Sequence, residues 1–282
     1  MRGTDAGRGA GNDGELNALL DLRPVPPERT LAYGEHPSQV VDLYGVDATG
    51  PRITVLHGGY WREAYDRTHL SPFAGALAQR GMTVELVEYR RVGGGGGWPA
   101  TAQDVAAALG LLGPPPDVLL GHSAGGQLAL WAAAGMGGMG GTGSTAGTGS
   151  MAGTGGADAV SGRDDAAGRV VAVAAVTDLA KAHRLRLSEG AVGEFLGAGG
   201  ASREQTEELV RARLPEADPM RLPPRVPVEL LHGTADEVVP LEMSRGYASD
   251  WGARLNLLTG TGHYAAFTPG TPAFGVLVDA LA

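Results

Sequence analysis

Cysteine is absent from the 282-residue chain. Its absence excludes a disulfide framework, a thiolate metal site and a cysteine nucleophile. A chain without cystine is compatible with a reducing compartment. The first twenty residues also contain no apolar segment of signal-peptide length. We therefore expect a cytoplasmic protein.

Lysine is nearly absent as well, because Lys181 is the only one and arginine carries the remaining positive charge. The formal net charge is −9 and the isoelectric point is near 5.2. An acidic surface repels phosphate backbones, so we expect no nucleic-acid partner. No apolar run approaches the ~18 residues that a membrane span needs, so we also expect no membrane partner.

Short apolar runs alternate with helix-like runs along most of the chain. Buried strands are predicted at RITVLHGG, MTVELVEYR, DVLLG, RVVAVAAV, VPVELLHG and ARLNLLTG, and an edge strand at SQVVDLYG. Helices are predicted between them, with Ser71 and Thr101 as N-caps of two. This alternation predicts a doubly wound, mostly parallel α/β sheet. Ligands of such sheets bind at the carboxyl ends of the strands.

The domain organisation follows from changes in composition. Residues 1–28 are rich in Gly, Asp, Arg and Pro, which predicts a flexible N-terminal tail. Residues 29–282 then form a single domain. A Gly/Ser/Thr/Ala-rich stretch at about 135–168 predicts a flexible loop insert. Residues 181–224 contain the capping box SREQ and predict helices over the carboxyl edge of the sheet, either as a lid or as ordinary crossovers.

A nucleophile elbow is indicated by Gly121-His122-Ser123-Ala124-Gly125, which follows a predicted strand and precedes an apolar helix. Small flanking residues allow the strand and the helix to approach each other closely. The sharp turn then lifts the serine hydroxyl clear of the sheet, beside the amides of the first helical turn. Ser123 is therefore the predicted nucleophile. The alternative is an ordinary serine in a tight strand-to-helix turn.

A serine nucleophile needs a base that a third group orients. In this architecture the acid precedes the histidine along the chain. Asp236 follows a predicted strand in HGTADEVVP and is the candidate acid, with Glu237 as the competitor. His263 follows the last predicted strand in a glycine-rich loop and is the candidate base. The alternatives are a turn-capping aspartate and a packed loop histidine.

The oxyanion that forms on a carbonyl needs inward-facing amides. The segment His57 to Trp61, HGGYW, follows an early strand, where one half of an oxyanion hole is expected. We assign the donors to the amides of Gly59, Tyr60 and Ala124. His57 itself is expected to hold the shape of the loop.

Aromatic residues make up only 5 % of the chain, yet several flank the candidate site. Trp61, Trp98 and Tyr264 are candidate lining residues of a substrate pocket. Core packing is the alternative for Trp61 and Tyr264, and the alternative for Trp98, which follows a run of five glycines, is an anchor for that loop. Such a pocket favours a flat apolar or aromatic substrate. The histidines at 36, 69 and 183 are expected to be surface residues, and no spacing indicates a metal site.

Three motifs carry a family resemblance: GHSAGG at 121–126, HGGYW at 57–61 and LHGTADEVVP at 231–240. Together they resemble the α/β-hydrolase superfamily. The oxyanion loop resembles that of kynurenine formamidases and of related small bacterial carboxylesterases. The resemblance implies Ser123, Asp236 and His263 as a catalytic triad.

The implied activity is a serine hydrolase without a cofactor or metal, acting through an acyl-enzyme. Its substrate would be an aryl formamide or a small carboxylic ester, either in a formamidase or in a general carboxylesterase. A non-catalytic ligand-binding protein on the same fold is the alternative from another functional class. A homodimer is compatible with this interpretation.

Overall fold

The computed structural model describes residues 10–135, 167–198 and 202–282. Within these ranges one eight-stranded sheet has the strand order β1-β2-β4-β3-β5-β6-β7-β8. The strands are β1 (Arg29–Ala32), β2 (Val40–Tyr44), β3 (Arg52–Leu56), β4 (Thr83–Val87), β5 (Val118–His122), β6 (Arg169–Val173), β7 (Val228–Gly233) and β8 (Arg254–Leu258).

The sheet is mostly parallel, as predicted. β2 pairs antiparallel with both β1 and β4, and the remaining neighbours pair in parallel. The predicted edge position of SQVVDLYG is wrong, because β2 has a partner on each side and β1 forms the edge. The carboxyl ends of β3 to β8 share one edge of the sheet, and the loops that follow them meet there.

Helices cover both faces of this sheet. They are α1 (Ala10–Leu20), α2 (Ser71–Ala78), α3 (Ala100–Leu112), α4 (Ala124–Ala133), α5 (Leu179–Arg184), α6 (Ala191–Gly193), α7 (Arg203–Ala217), α8 (Leu241–Trp251) and α9 (Pro272–Leu281). The described ranges include no helix whose length and apolar character would suit a bilayer crossing.

The central strand β5 is buried along its whole length. Leu119 packs in the layer of α3 and α4, whereas Val118 and Leu120 pack in the layer of α2 and α9. Successive side chains of a strand point to opposite faces, so a continuous apolar run fits a sheet that is covered on both sides. The predicted doubly wound α/β fold is confirmed.

The N-terminal segment differs from the prediction. Residues 10–28, assigned to a flexible tail, form α1 and an extended strap against the domain. Leu16, Leu19 and Leu20 share one face of α1, and Leu19 is 1 % exposed. The strap is anchored at Val25, whose amide donates to the Ser71 hydroxyl at 3.2 Å and whose carbonyl accepts from a tyrosine hydroxyl. The leucine face of α1 packs against the domain, which explains why residues 10–28 are ordered.

Two predicted N-caps lie inside their helices. Ser71 is the first residue of α2, and its hydroxyl donates to the Thr68 carbonyl at 2.7 Å. Thr101 is the second residue of α3, and its hydroxyl donates to the Arg90 carbonyl at 2.6 Å. Both hydroxyls bond to the preceding chain instead of capping the helix. The capping box at Ser202, which opens α7, is confirmed.

The two segments that were predicted to interrupt the alternation of strands and helices have different outcomes. Most of the predicted insert, residues 136–166, lies outside the described residues. The segment at 181–224 is largely helical where it is described, with α5, α6 and α7 near the carboxyl edge of the sheet. Movement of this segment as a lid stays a prediction.

Candidate active site

Ser123 lies at a strained turn between β5 and α4. Its φ and ψ are 53° and −114°, in a left-handed region that side chains rarely adopt. The turn is held from both sides, because the Ser123 amide donates to Val173 at 2.9 Å and its carbonyl accepts from Val176 and Gln127. A Cβ on Gly125 would collide with the main-chain carbonyls of Leu56, the last residue of β3, and of His57, which follows it. The glycine therefore permits the close approach of α4.

The structure brings Asp236 and His263 together at the same edge of the sheet. His263 donates from Nδ1 to Asp236 Oδ2 at 2.7 Å. The other carboxylate oxygen, Oδ1, accepts from the amides of Val238 at 2.8 Å and Val239 at 2.9 Å. A proton on Nδ1 leaves Nε2 of a neutral His263 with its lone pair, which is the arrangement a general base requires.

The Asp236 carboxylate is stabilised in its charged form. Burial by itself raises the pKa of this carboxyl. The charge of His263 and hydrogen bonds from His232, His263 and the Val239 amide together hold that pKa well below its usual range. The side chain is fully buried beside both histidine rings. Asp236 therefore stays negative at neutral pH.

Two neighbouring histidines support this pair. His232 Nε2 donates to the Val239 carbonyl at 2.9 Å and lies 3.3 Å from Asp236, so it orders the loop that carries Asp236. His122 Nε2 donates to the main-chain carbonyl of His263 at 3.0 Å. Burial lowers the pKa of His122 well below its ordinary value. His122 is therefore uncharged at neutral pH, and its hydrogen bond holds the loop that carries His263.

The loop after β3 carries the predicted oxyanion donors. Gly59, Tyr60 and Trp61 have φ values of 109°, 58° and 57°, so three consecutive residues are left-handed. The loop is fixed from behind by His57, which is fully buried and stacks on Tyr89 at 4.4 Å. Gly59 and Tyr60 both line a cavity that Ser123 also lines.

Glu88 is a supporting residue that the sequence analysis missed. It is 2 % exposed at the end of β4 and forms an ion pair with the buried Arg91. Its Oε1 lies 2.9 Å from His57 Nε2, and its Oε2 accepts from the Arg67 amide at 2.9 Å. The carboxylate therefore ties the loop after β3 to the sheet. An acidic residue directly after an apolar strand was the available signal.

Two cavities meet at Ser123 and Tyr60. The first, here called the histidine cavity, has about 410 Å³ of empty space and is lined by His69, His122, His263, Tyr65, Tyr264 and the leucines of α1. The second, here called the valine cavity, has about 310 Å³ and is lined by Ala124, Trp61, Val176, Val192, Val238 and Val239. Both volumes count open solvent at the mouth as well as enclosed space.

The predicted pocket residues separate in the structure. Tyr264 lines the histidine cavity, and Trp61 lines the valine cavity while it stacks on Phe195 at 4.4 Å. The prediction for Trp98 is wrong. Its ring packs behind Phe195 at 6.0 Å, and its Nε1 donates to Glu216 at 2.7 Å. An indole with an internal acceptor and an aromatic neighbour belongs to the core.

His69 was expected at the surface but lines the histidine cavity. Its Nδ1 lies against the main-chain carbonyl of Asp66, which can only accept a hydrogen bond, so Nδ1 carries the proton. Burial and the neighbouring His57 lower the pKa of His69 to about 4. At neutral pH its ring is therefore an uncharged part of the cavity wall.

Comparisons with known proteins agree with this architecture. The profile of the Alpha/beta hydrolase family matches residues 55–273. The sn-1-specific diacylglycerol lipase ABHD11 of Mus musculus is 35 % identical over 128 residues, which are 43 % of this chain and 36 % of the mouse protein. The match therefore spans about a third of that relative.

Solved structures of esterases share the fold at low sequence identity. Esterase B from Lactobacillus rhamnosis has a TM-score of 0.65 at 19 % identity, covering 96 % of this chain and 91 % of that one. The propionate-bound thermophilic esterase Est2 from Thermogutta terrifontis has a TM-score of 0.59 at 20 % identity, covering 90 % and 92 %. With its profile match over most of the domain, the chain belongs to the alpha/beta hydrolase family.

Proposed function

We propose that the protein is a serine carboxylesterase for small esters, with Ser123 as the nucleophile, His263 as the base and Asp236 as the residue that orients it. One observation carries the proposal. The 2.7 Å contact between His263 and Asp236 stands beside a serine at a strained elbow, and Ser123 and His263 line one cavity. This arrangement supports acyl transfer through Ser123.

The reaction proceeds in two halves. Ser123 attacks the ester carbonyl while its proton passes to Nε2 of His263. The tetrahedral oxyanion is held by the amides of Gly59, Tyr60 and Ala124, and each such donor contributes ~2.7–4 kcal/mol of barrier lowering. The bond between the acyl carbon and the leaving oxygen then breaks, and His263 returns the proton to the leaving alcohol. Water repeats the sequence on the acyl-enzyme and releases the acid.

Each cavity is assigned to one part of the substrate, the leaving group or the acyl chain. The leaving group must lie within reach of His263, which lines the histidine cavity. The acyl chain then occupies the valine cavity, which Ala124 borders with the first amide of α4. Four valines there bury a short alkyl chain at ~0.8 kcal/mol per methylene. The propionate-bound state of Est2 is compatible with a short acyl group.

A kynurenine formamidase-like activity is the second candidate. The HGGYW loop supports it, and so does the histidine cavity, whose aromatic wall of Tyr60, Tyr65 and Tyr264 suits an aryl leaving group. A formyl group carries only hydrogen on its carbonyl carbon, so it would leave the valine cavity empty. That empty apolar space favours the ester.

A substrate panel separates the two candidates. With p-nitrophenyl esters, kcat/KM should rise about fourfold per methylene from acetate to butyrate, because ~0.8 kcal/mol corresponds to that factor. N-formylkynurenine should be turned over more slowly than the butyrate ester. A higher kcat/KM for the formamide than for every ester would overturn the ester assignment.

The nucleophile has a direct test. The Ser123→Ala variant should lose at least ~10³-fold in kcat/KM and should not react with a fluorophosphonate probe. Ser249→Ala, which removes an exposed hydroxyl of α8, is the matched control and should behave as wild type. Wild-type protein that remains unlabelled by the probe would refute an activated serine and favour a binding protein.

A further inference from the structure

A carboxylate from the N-terminal helix holds the loop that carries His263. Glu15 Oε1 accepts from the amide of Gly262 at 2.7 Å. Its Oε2 accepts from the amides of Tyr264 at 2.9 Å and Ala265 at 3.1 Å. One side chain therefore binds the amides before and after His263. Hydrogen bonds to a charged acceptor are about twice as strong as neutral ones.

These contacts complete the support of His263. Asp236 binds its ring at Nδ1, His122 binds its carbonyl, and Glu15 binds the backbone on either side. The ring, the carbonyl and the flanking amides are thus each held by a different element. In the preceding loop, the Gly260 amide donates to the Thr234 hydroxyl and the Thr261 amide to the Leu258 carbonyl, whereas the Gly262 amide donates to Glu15.

The placement of Glu15 is itself fixed by packing. Leu16 and Leu19 lie beside it on α1, and both line the histidine cavity. Leu19 is 1 % exposed, so the helix is docked and not merely adjacent. The same turn of α1 therefore forms a cavity wall and delivers the carboxylate to the base loop.

We propose that Glu15 is a positioning residue for His263 and that residues 15–20 of α1 are part of the active site. The inference rests on the proposed function, because it concerns how the base is held. Glu15 does not contact the reacting atoms. It keeps Nε2 of His263 directed at Ser123 by fixing the backbone on both sides of the histidine.

The main variant is Glu15→Ala. A displacement of about 1 Å at a catalytic group reduces turnover by ~10²-fold, so kcat should fall by that order while KM changes little. Glu15→Gln keeps one oxygen but turns an amino group toward an amide donor, and its loss should be intermediate. Asp13→Asn is the matched control, because it removes an exposed carboxylate from the same helix and should leave kcat unchanged.

Spectroscopy separates positioning from loss of stability. The Nδ1 proton shared by His263 and Asp236 gives a strongly downfield ¹H resonance, which should broaden in both Glu15 variants and stay sharp in Asp13→Asn. The measurement is made where thermal melts show each variant folded. Should Glu15→Ala fail to fold, Glu15→Gln alone carries the test through its resonance and its kcat.

Fluorophosphonate labelling distinguishes failure of the proposed function from failure of the proposed role of Glu15. An unlabelled wild type would refute the proposed function itself. A wild type that is labelled at the same rate as folded Glu15→Gln, with a sharp Nδ1 resonance in both, would overturn the role of Glu15 alone. The expected result is labelling of wild type and Asp13→Asn at one rate and slower labelling of both Glu15 variants.

Discussion

The contacts of Asp236 make the effect of Asp236→Asn calculable. Two amides, those of Val238 and Val239, point at Oδ1, so the oxygen of an asparagine must occupy that position. The amino group is then placed at Oδ2, 2.7 Å from Nδ1 of His263. Because that amino group donates, Nδ1 must accept, and the ring proton moves to Nε2. Nε2, the nitrogen that faces Ser123, then already carries a proton and can no longer accept the proton of the Ser123 hydroxyl.

The expected loss follows from this change of tautomer. The corresponding Asp-to-Asn change in a serine protease lowers kcat by ~10⁴ while the geometry is kept. We expect the same order here, about 5.5 kcal/mol at 1.36 kcal/mol per tenfold change. The amino group would also face Nε2–H of His232, so the free energy of unfolding should fall by about 1–3 kcal/mol.

The assay is kcat/KM for p-nitrophenyl acetate, together with thermal melts that establish folding. Glu237→Gln is the control, because it makes the same chemical change at the adjacent, exposed carboxylate and should keep activity within about twofold. An Asp236→Asn protein with more than a tenth of wild-type activity would refute the reasoning. If Glu237→Gln lost activity instead, Glu237 and not Asp236 would be the acid that orients His263.

Three further outcomes are expected. Gly125→Ala should lower the free energy of unfolding by about 3 kcal/mol or more, because the new Cβ collides with the Leu56 carbonyl. The assay is urea unfolding, and an unchanged urea midpoint would contradict the close contact between α4 and β3. The depressed pKa of Asp236 stabilises the protein above its unfolded pKa of ~3.9, so stability should fall below that pH and fall less in Asp236→Asn. Trp98→Phe should leave KM unchanged but lower stability by about 1 kcal/mol through loss of the bond to Glu216, as steady-state kinetics and melts can measure.

The sequence predicted the sheet and the convergence of the site for a topological reason. Ser123, Asp236 and His263 follow β5, β7 and β8, and the carboxyl ends of parallel strands share one edge. Each residue could therefore be placed from its strand alone. No distance between the three needed to be known in advance.

The misses share a different cause. Trp98 was placed in the pocket because it stands next to a glycine run, but its acceptor Glu216 lies 118 residues further along the chain. Glu15 was placed in a tail because its partners lie 247 to 250 residues away. Composition and periodicity describe neighbours in sequence, so they contain no information about pairs that only the tertiary fold creates.

The contact between α1 and residues 262–265 has a consequence for biosynthesis. The amides that Glu15 binds are synthesised 247 to 250 residues after it. Chains grow at ~5–20 residues per second, so α1 waits roughly 12–50 s for its binding site. A nascent chain that ends before residue 262 has neither His263 nor the amides that Glu15 binds. The support of the His263 loop by α1 therefore forms only after residues 262–265 have been synthesised.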